Sequence, residues 1–164
     1  MLATQGAFEM RLSQSTSVRL ATQLDPALIL FGGTPPEAMQ RRPASGKWSA
    51  HENLAHLARY HEVFLDRLRR ILAEDRPNLG RYRAEDDPEA SKWMALPTDE
   101  VLKRLEGLRR ELTAAVERLS SEQLGRTGIH PVLGEMPAPM WIEFFLLHEA
   151  HHLYVAMMRS RGGG

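Results

Sequence analysis

His148 and His152 stand four residues apart in an apolar stretch, Phe144-Phe145-Leu146-Leu147-His148-Glu149-Ala150-His151-His152-Leu153-Tyr154-Val155. On a helix that spacing puts two imidazoles on one face, one above the other. Two nitrogens so placed can reach a single ion at about 2.0–2.1 Å. A buried imidazole without a partner is costly to desolvate, and a shared metal ion removes that cost. The competing reading is a pair of hydrogen-bonded core histidines. His151 is one position off and points elsewhere, towards the surface or the periphery of a site.

The same residues spell His-Glu-x-x-His, which puts Glu149 in the general-base position of a zinc protease. Such proteases need a further ligand, yet the 12 residues after His152 contain no His, Asp or Glu. There is also no evident strand to hold an extended peptide. Glu149 therefore stands as the candidate catalytic residue on narrower grounds. It could orient His148 or act as a base, against the plainer alternative of a carboxylate that only hydrogen-bonds nearby.

A third ligand must come from upstream. His56 lies in the apolar stripe of an earlier helix, between Leu54 and Leu57, and is the choice. His51 falls in the first turn of that helix and is expected to be solvated. His61 is five residues from His56, roughly 140° around the helix, so the two do not share an ion easily. His130, in a Gly/Pro segment, could line a site or do nothing. Tyr60, one turn beyond His56, is expected to point towards the ion, and Tyr154 to pack in the core. Three imidazoles leave at least one coordination position open, the mark of a catalytic site.

These residues need helices to hold them. The first is expected from about Ala7 to Leu24, interrupted at Asp25-Pro26. A Pro/Gly-marked connection follows, with one short turn of helix. Ser49-Ala50-His51-Glu52 has the spacing of a capping box and opens the second helix, which ends at Glu74-Asp75-Arg76-Pro77. A polar crossover, 75–97, has Tyr82 and Trp93 as anchors. The third helix begins near Thr98 as its N-cap and runs to about Leu119. After a Gly/Pro-rich loop, 120–138, the fourth spans Pro139 to Arg159. No segment alternates as a strand does. The expected fold is all-α, a four-helix bundle with a long crossover between helices two and three, forming one domain over 1–164 with frayed ends at 1–6 and 160–164.

The bulk properties agree. The chain has 164 residues, 43% hydrophobic and 26% charged, and 21 basic against 21 acidic residues give no net charge. That balance carries no electrostatic signature of nucleic acid or an anionic membrane. The absence of cysteine excludes disulfides, thiolate metal sites and a cysteine nucleophile. No secretion signal is evident, and the 140–158 segment carries too many His and Glu residues to sit in lipid. A cytoplasmic protein with a small-molecule substrate is expected.

Lys47-Trp48-Ser49-Ala50-His51-Glu52-Asn53-Leu54-Ala55-His56-Leu57 and His148-Glu149-Ala150-His151-His152 resemble the two signatures of the DinB/YfiT-like metalloenzyme family. Glu74-Asp75-Arg76-Pro77 and His130-Pro131-Val132-Leu133-Gly134 are also similar, so the likeness runs from Arg42 to Arg159. It implies a four-helix bundle whose metal is held by one His of helix two and two of helix four, here His56, His148 and His152. It further implies zinc or nickel and, in some relatives, a low-molecular-weight thiol cosubstrate such as bacillithiol, mycothiol or glutathione. Homodimers are common in the family, and the apolar residues all round the last helix point the same way.

The leading expectation is therefore a metal-dependent enzyme that activates a bound thiol or water against a small electrophile, most simply a thiol-dependent S-transferase. A metal-dependent hydrolase and a non-catalytic metal- or ligand-binding protein are the rivals.

Overall fold

The computed structural model describes residues 10–163. Four long or medium helices make the bundle: α1 (Gln14–Thr22), α4 (Ala50–Ala73), α6 (Thr98–Glu117) and α8 (Ala138–Ser160). Contacts run from α4 to α8, α8 to α1, α1 to α6 and α6 to α4, which closes the ring. Short helices fill the connections: α2 (Ala27–Phe31), α3 (Pro36–Gln40), a 3-10 turn (Ala84–Asp86), α5 (Pro88–Met94) and α7 (Ser121–Leu124).

Local chemistry explains the starts. Ser49 Oγ accepts from the Glu52 amide while the Glu52 carboxylate accepts from the Ser49 amide, a complete capping box on α4. Ser13 caps α1, whose expected start at Ala7 lies outside the described residues, as do the expected frayed residues 1–6. Asp25-Pro26 separates α1 from α2. Thr98 proves to be the first residue of α6 and Pro97 its cap. At the other end, residues 161–163 fold back on α8, with the Gly163 amide donating to Met158 O at 2.8 Å.

One element departs from the all-helical expectation. Strands β1 (Thr127–His130) and β2 (Gly134–Pro137) form an antiparallel hairpin, and β1 also bridges Asn78 of the crossover. Gly134, at φ +75°, takes the left-handed geometry the tight turn needs. Gly128 packs so closely that a Cβ there would meet Leu79 Cδ1 at 2.9 Å and Ile71 Cγ1 at 3.0 Å. The hairpin is thereby clamped to α4 and the crossover.

The apolar core has two halves. Leu20, Phe64, Leu68, Ile71, Leu112, Trp141 and Phe145 belong to one. Leu24, Phe31, Leu54, Leu57, Trp93, Val101, Leu105 and Leu153 belong to the other. Where they meet, each bundle helix contributes a polar group: Gln23 at the end of α1, His61 of α4, Arg109 of α6 and Glu149 of α8. Arg109 donates to Glu149 Oε2, Gln23 Nε2 donates to Glu149 Oε1 at 3.0 Å, and Arg109 Nη1 donates to Leu20 O at 3.3 Å.

Candidate metal centre

His56, His148 and His152 converge. One nitrogen from each lies within 4.8 Å of the others, and His56 Nε2 stands 3.1 Å from His148 Nε2. Two nitrogens on one ion can be no more than about 4.2 Å apart at bonds near 2.1 Å. The group is within a ring rotation of that limit.

The donor set suits a divalent transition metal. Burial pushes the His56 imidazole down to about 4, partly offset by the Glu85 carboxylate. Burial first, then neighbouring imidazoles, pushes His148 down to about 2 and His152 to about 3. All three are neutral at pH 7 and keep a lone pair to give. Asn53 fixes one tautomer: its Nδ2 donates to Ser49 O at 2.8 Å, and its Oδ1 accepts from His152 Nδ1 at 2.8 Å. His152 therefore presents Nε2. The Nδ1 atoms of His56 and His148 are buried without a hydrogen-bond partner, a cost that coordination through the opposite nitrogen helps to offset.

The centre opens into a cavity of about 840 Å³. Trp48, α4 (His56, Tyr60, Arg67), the crossover (Arg81 to Glu85), the hairpin (His130, Val132, Leu133) and α8 (Phe144, His148, His152) form its walls. Both long connections thus contribute to its walls. The Tyr60 ring lies 4.0 Å from the His148 ring, centroid to centroid, with its hydroxyl accepting from Arg67 Nη1 at 3.0 Å. The Tyr82 ring lies 5.9 Å from that of His56 and donates to Asp87 Oδ2 at 3.0 Å. Burial raises both phenols, with Asp87 adding to the effect at Tyr82, so both stay protonated at neutral pH.

Glu149 lies elsewhere. It is fully buried, does not line the cavity, and spends its carboxylate on Arg109 and Gln23. His61 Nδ1 donates to Leu57 O at 2.8 Å, leaving Nε2 unprotonated and 3.2 Å from Glu149 Oε2. Burial and Arg109 hold His61 down to about 3, so it is neutral and the anion is balanced by Arg109.

Other expectations need correction. His51 is not solvated but fully buried, with Nδ1 against Thr98 Oγ1 at 2.9 Å and Nε2 against Met94 O at 3.0 Å. Tyr154 is not in the core but 59% exposed. His151 is exposed as expected, and His130 lines the cavity. Sequence reasoning did not single out Asn53, Arg67 or Glu85. Asn53 sits one turn before His56, a signal available from helical spacing alone.

The chain is therefore a four-helix bundle with a three-histidine group opening to a cavity. It belongs to the DinB superfamily, which it matches over residues 19–156. A protein of Oceanobacillus iheyensis, provisionally named a metal-dependent hydrolase, is 25% identical over 78% of this chain and 74% of its own. YuaE of Bacillus subtilis, an uncharacterized protein, is 26% identical over 74% and 82%. Among solved structures, YfiT of Bacillus subtilis, described as a probable metal-dependent hydrolase with an unusual four-helix bundle topology, superposes with a TM-score of 0.69. It covers 98% of this chain and 97% of its own at 19% identity, a likeness of fold.

Proposed function

We propose that this protein is a metal-dependent enzyme in which His56, His148 and His152 hold a zinc or nickel ion and a small electrophile is attacked in the adjoining cavity. The observation that carries this reading is the convergence of three neutral imidazoles at the base of an open cavity. When bound, such an ion supplies Lewis acidity, lowering the pKa of a coordinated water or thiol towards neutrality.

The chain's own residues supply the rest. Asn53 holds His152 in the tautomer that offers Nε2. Trp48 and Tyr60 pack against the imidazoles and keep bulk water from them. Glu149 acts at a distance, by fixing α8 to α1 and α6 through Gln23 and Arg109, and so positions His148 beside it.

Two reactions fit. In the thiol reading, a low-molecular-weight thiol is the nucleophile. Tyr60 and Tyr82 are held protonated and the imidazoles are committed to the ion, so a nucleophile that ionises readily suits the cavity. In the hydrolase reading, which the names of the relatives favour, water attacks and Glu85, the carboxylate that lines the cavity, accepts its proton. Elemental analysis of untagged protein tests the centre; an electrophile screen with and without thiol then separates the reactions. Turnover that requires thiol and survives Glu85→Gln supports transfer. Thiol-independent turnover lost in Glu85→Gln supports hydrolysis, and absence of stoichiometric metal refutes both.

A homodimer is part of the same proposal. Met140, Leu147, Tyr154 and Met158 are exposed along α8 at seven- and four-residue spacings, a stripe suited to a second copy.

A further inference from the structure

Arg67 is a buried cation without a counter-ion. The residue is 6% exposed, and its donors go to neutral groups. Nη1 donates to the Tyr60 hydroxyl, and Nη2 to Leu79 O at 3.2 Å and Gly80 O at 2.8 Å. The guanidinium carbon lies 5.7 Å from the centre of the Tyr60 ring and 5.6 Å from that of Trp141. Among the described residues no carboxylate pairs with it, whereas the other buried guanidinium, Arg109, is paired with Glu149. A charge taken out of water is ordinarily matched by an opposite one.

Arg67 borders the same cavity as the histidines, with Tyr60 spanning the gap to His148. Arg81, exposed at the mouth, adds a second positive charge. Arg83 also lines it but lies 3.4 Å from Asp86, and among the described residues Glu85 is the one carboxylate in the lining. Burial first, and then Arg67 and Arg81 through space, opposes protonation of His130. His130 Nδ1 accepts from the Val132 and Leu133 amides at 3.1 and 3.0 Å, so the neutral ring carries its proton on Nε2 as a further donor. Beside these donors, Leu133 and Phe144 offer an apolar wall.

We propose that Arg67, seconded by Arg81 and His130, forms an anion subsite, so that the molecule taken up beside the three histidines is an organic anion: an apolar body bearing a carboxylate or phosphate group. This deepens the reading of the site given above and rests on it for the role of the bound molecule. With Nη2 committed to Leu79 O and Gly80 O, Arg67 meets an acidic group with its positive charge and the N–H groups left on Nη1 and Nε, which suits a carboxylate or a phosphate alike.

Titration calorimetry with 3-phenylpropionate, its neutral amide 3-phenylpropanamide and 2-phenylethylphosphonate tests it, on untagged protein of measured metal content and again after chelator treatment. The acid is expected to bind about tenfold or more tightly than the amide, with the preference retained once metal is removed. Arg67→Gln should bring acid and amide to about parity, and Arg81→Ser, an exposed change that keeps the fold, should reduce the preference partway. A tighter phosphonate assigns the subsite to phosphate, and a tighter acid to carboxylate. Equal binding of acid and amide, no binding of either, or a preference that vanishes with the metal overturns the subsite. A protein that holds no metal yet prefers the acid refutes the metal centre and upholds the subsite.

Discussion

Asn53 Oδ1 accepts a hydrogen bond of 2.8 Å from His152 Nδ1, tying the first turns of α4 to the second half of α8. The Asn53 amide is itself oriented by Ser49 O, so the capping segment of one helix sets the tautomer of an imidazole of the three-histidine group on another. Asn53→Ala should therefore weaken metal binding by about 10–100-fold while circular dichroism is unchanged. Competition against a chelating dye measures it, and an unaltered affinity would show that Asn53 does not support the site.

Two histidines of α4 should part company. His56→Ala is expected to abolish stoichiometric metal with little change of fold. His51→Ala should leave metal content intact and cost about 1–3 kcal/mol of stability, because Thr98 Oγ1 and Met94 O lose their buried partner. Elemental analysis and denaturant titration on both variants give the answer; metal loss in His51→Ala would contradict the assignment.

Acid should unfold the metal-free protein early. His56, His61, His148 and His152 have folded-state pKa values of about 4, 3, 2 and 3, below the ordinary 6.5. Protons therefore bind the unfolded chain more readily. The stability tied to these neutral rings is complete above about pH 6.5 and is lost as pH falls from there towards the folded values. Melting temperatures taken between pH 8 and 4 should be flat at the alkaline end and then decline, less steeply in His61→Phe. A flat profile down to pH 4 would show that these rings titrate normally.

The Arg109–Glu149 pair should be far costlier to break than to replace. Arg109→Met strands a buried carboxylate and is expected to cost about 3–5 kcal/mol. Arg109→Met combined with Glu149→Leu should recover much of that loss. Equal destabilisation in the single and double variants would mean that the two charges are not coupled.

The α8 stripe makes a statement about mass. If a second copy covers it, Leu147→Glu with Tyr154→Lys should halve the mass seen by light scattering and leave the melting curve of the monomer cooperative. A wild-type protein already monomeric at high micromolar concentration would dispose of the dimer.

Much of this architecture is legible in the sequence, because its strongest signals are local. The Ser49/Glu52 capping box fixes where α4 begins, and periodicity then places His56 on its inner face. The four-residue spacing of His148 and His152 survives folding unchanged. The hairpin is less visible: strands of four residues amid Gly and Pro are too short to show alternation, and what holds them is the approach of Gly128 to Ile71 and Leu79. His51 misleads for a related reason. The first turn of a helix is usually wet, but here α5 and α6 close over it. Glu149 sits in a familiar His-Glu-x-x-His string, yet its neighbours come from α1, α4 and α6, which spacing along one helix cannot disclose.

The layer of Gln23, His61, Arg109 and Glu149 also gives the bundle a common zero mark. Apolar side chains forgive axial slippage, since one leucine can substitute for the next, whereas a charge that slides by a turn leaves its counter-ion alone in hydrocarbon. The height of α8 against α1 and α6 is thereby gauged, and since α6 packs in turn on α4, that alignment bears on whether imidazoles from two different rods arrive at the same point.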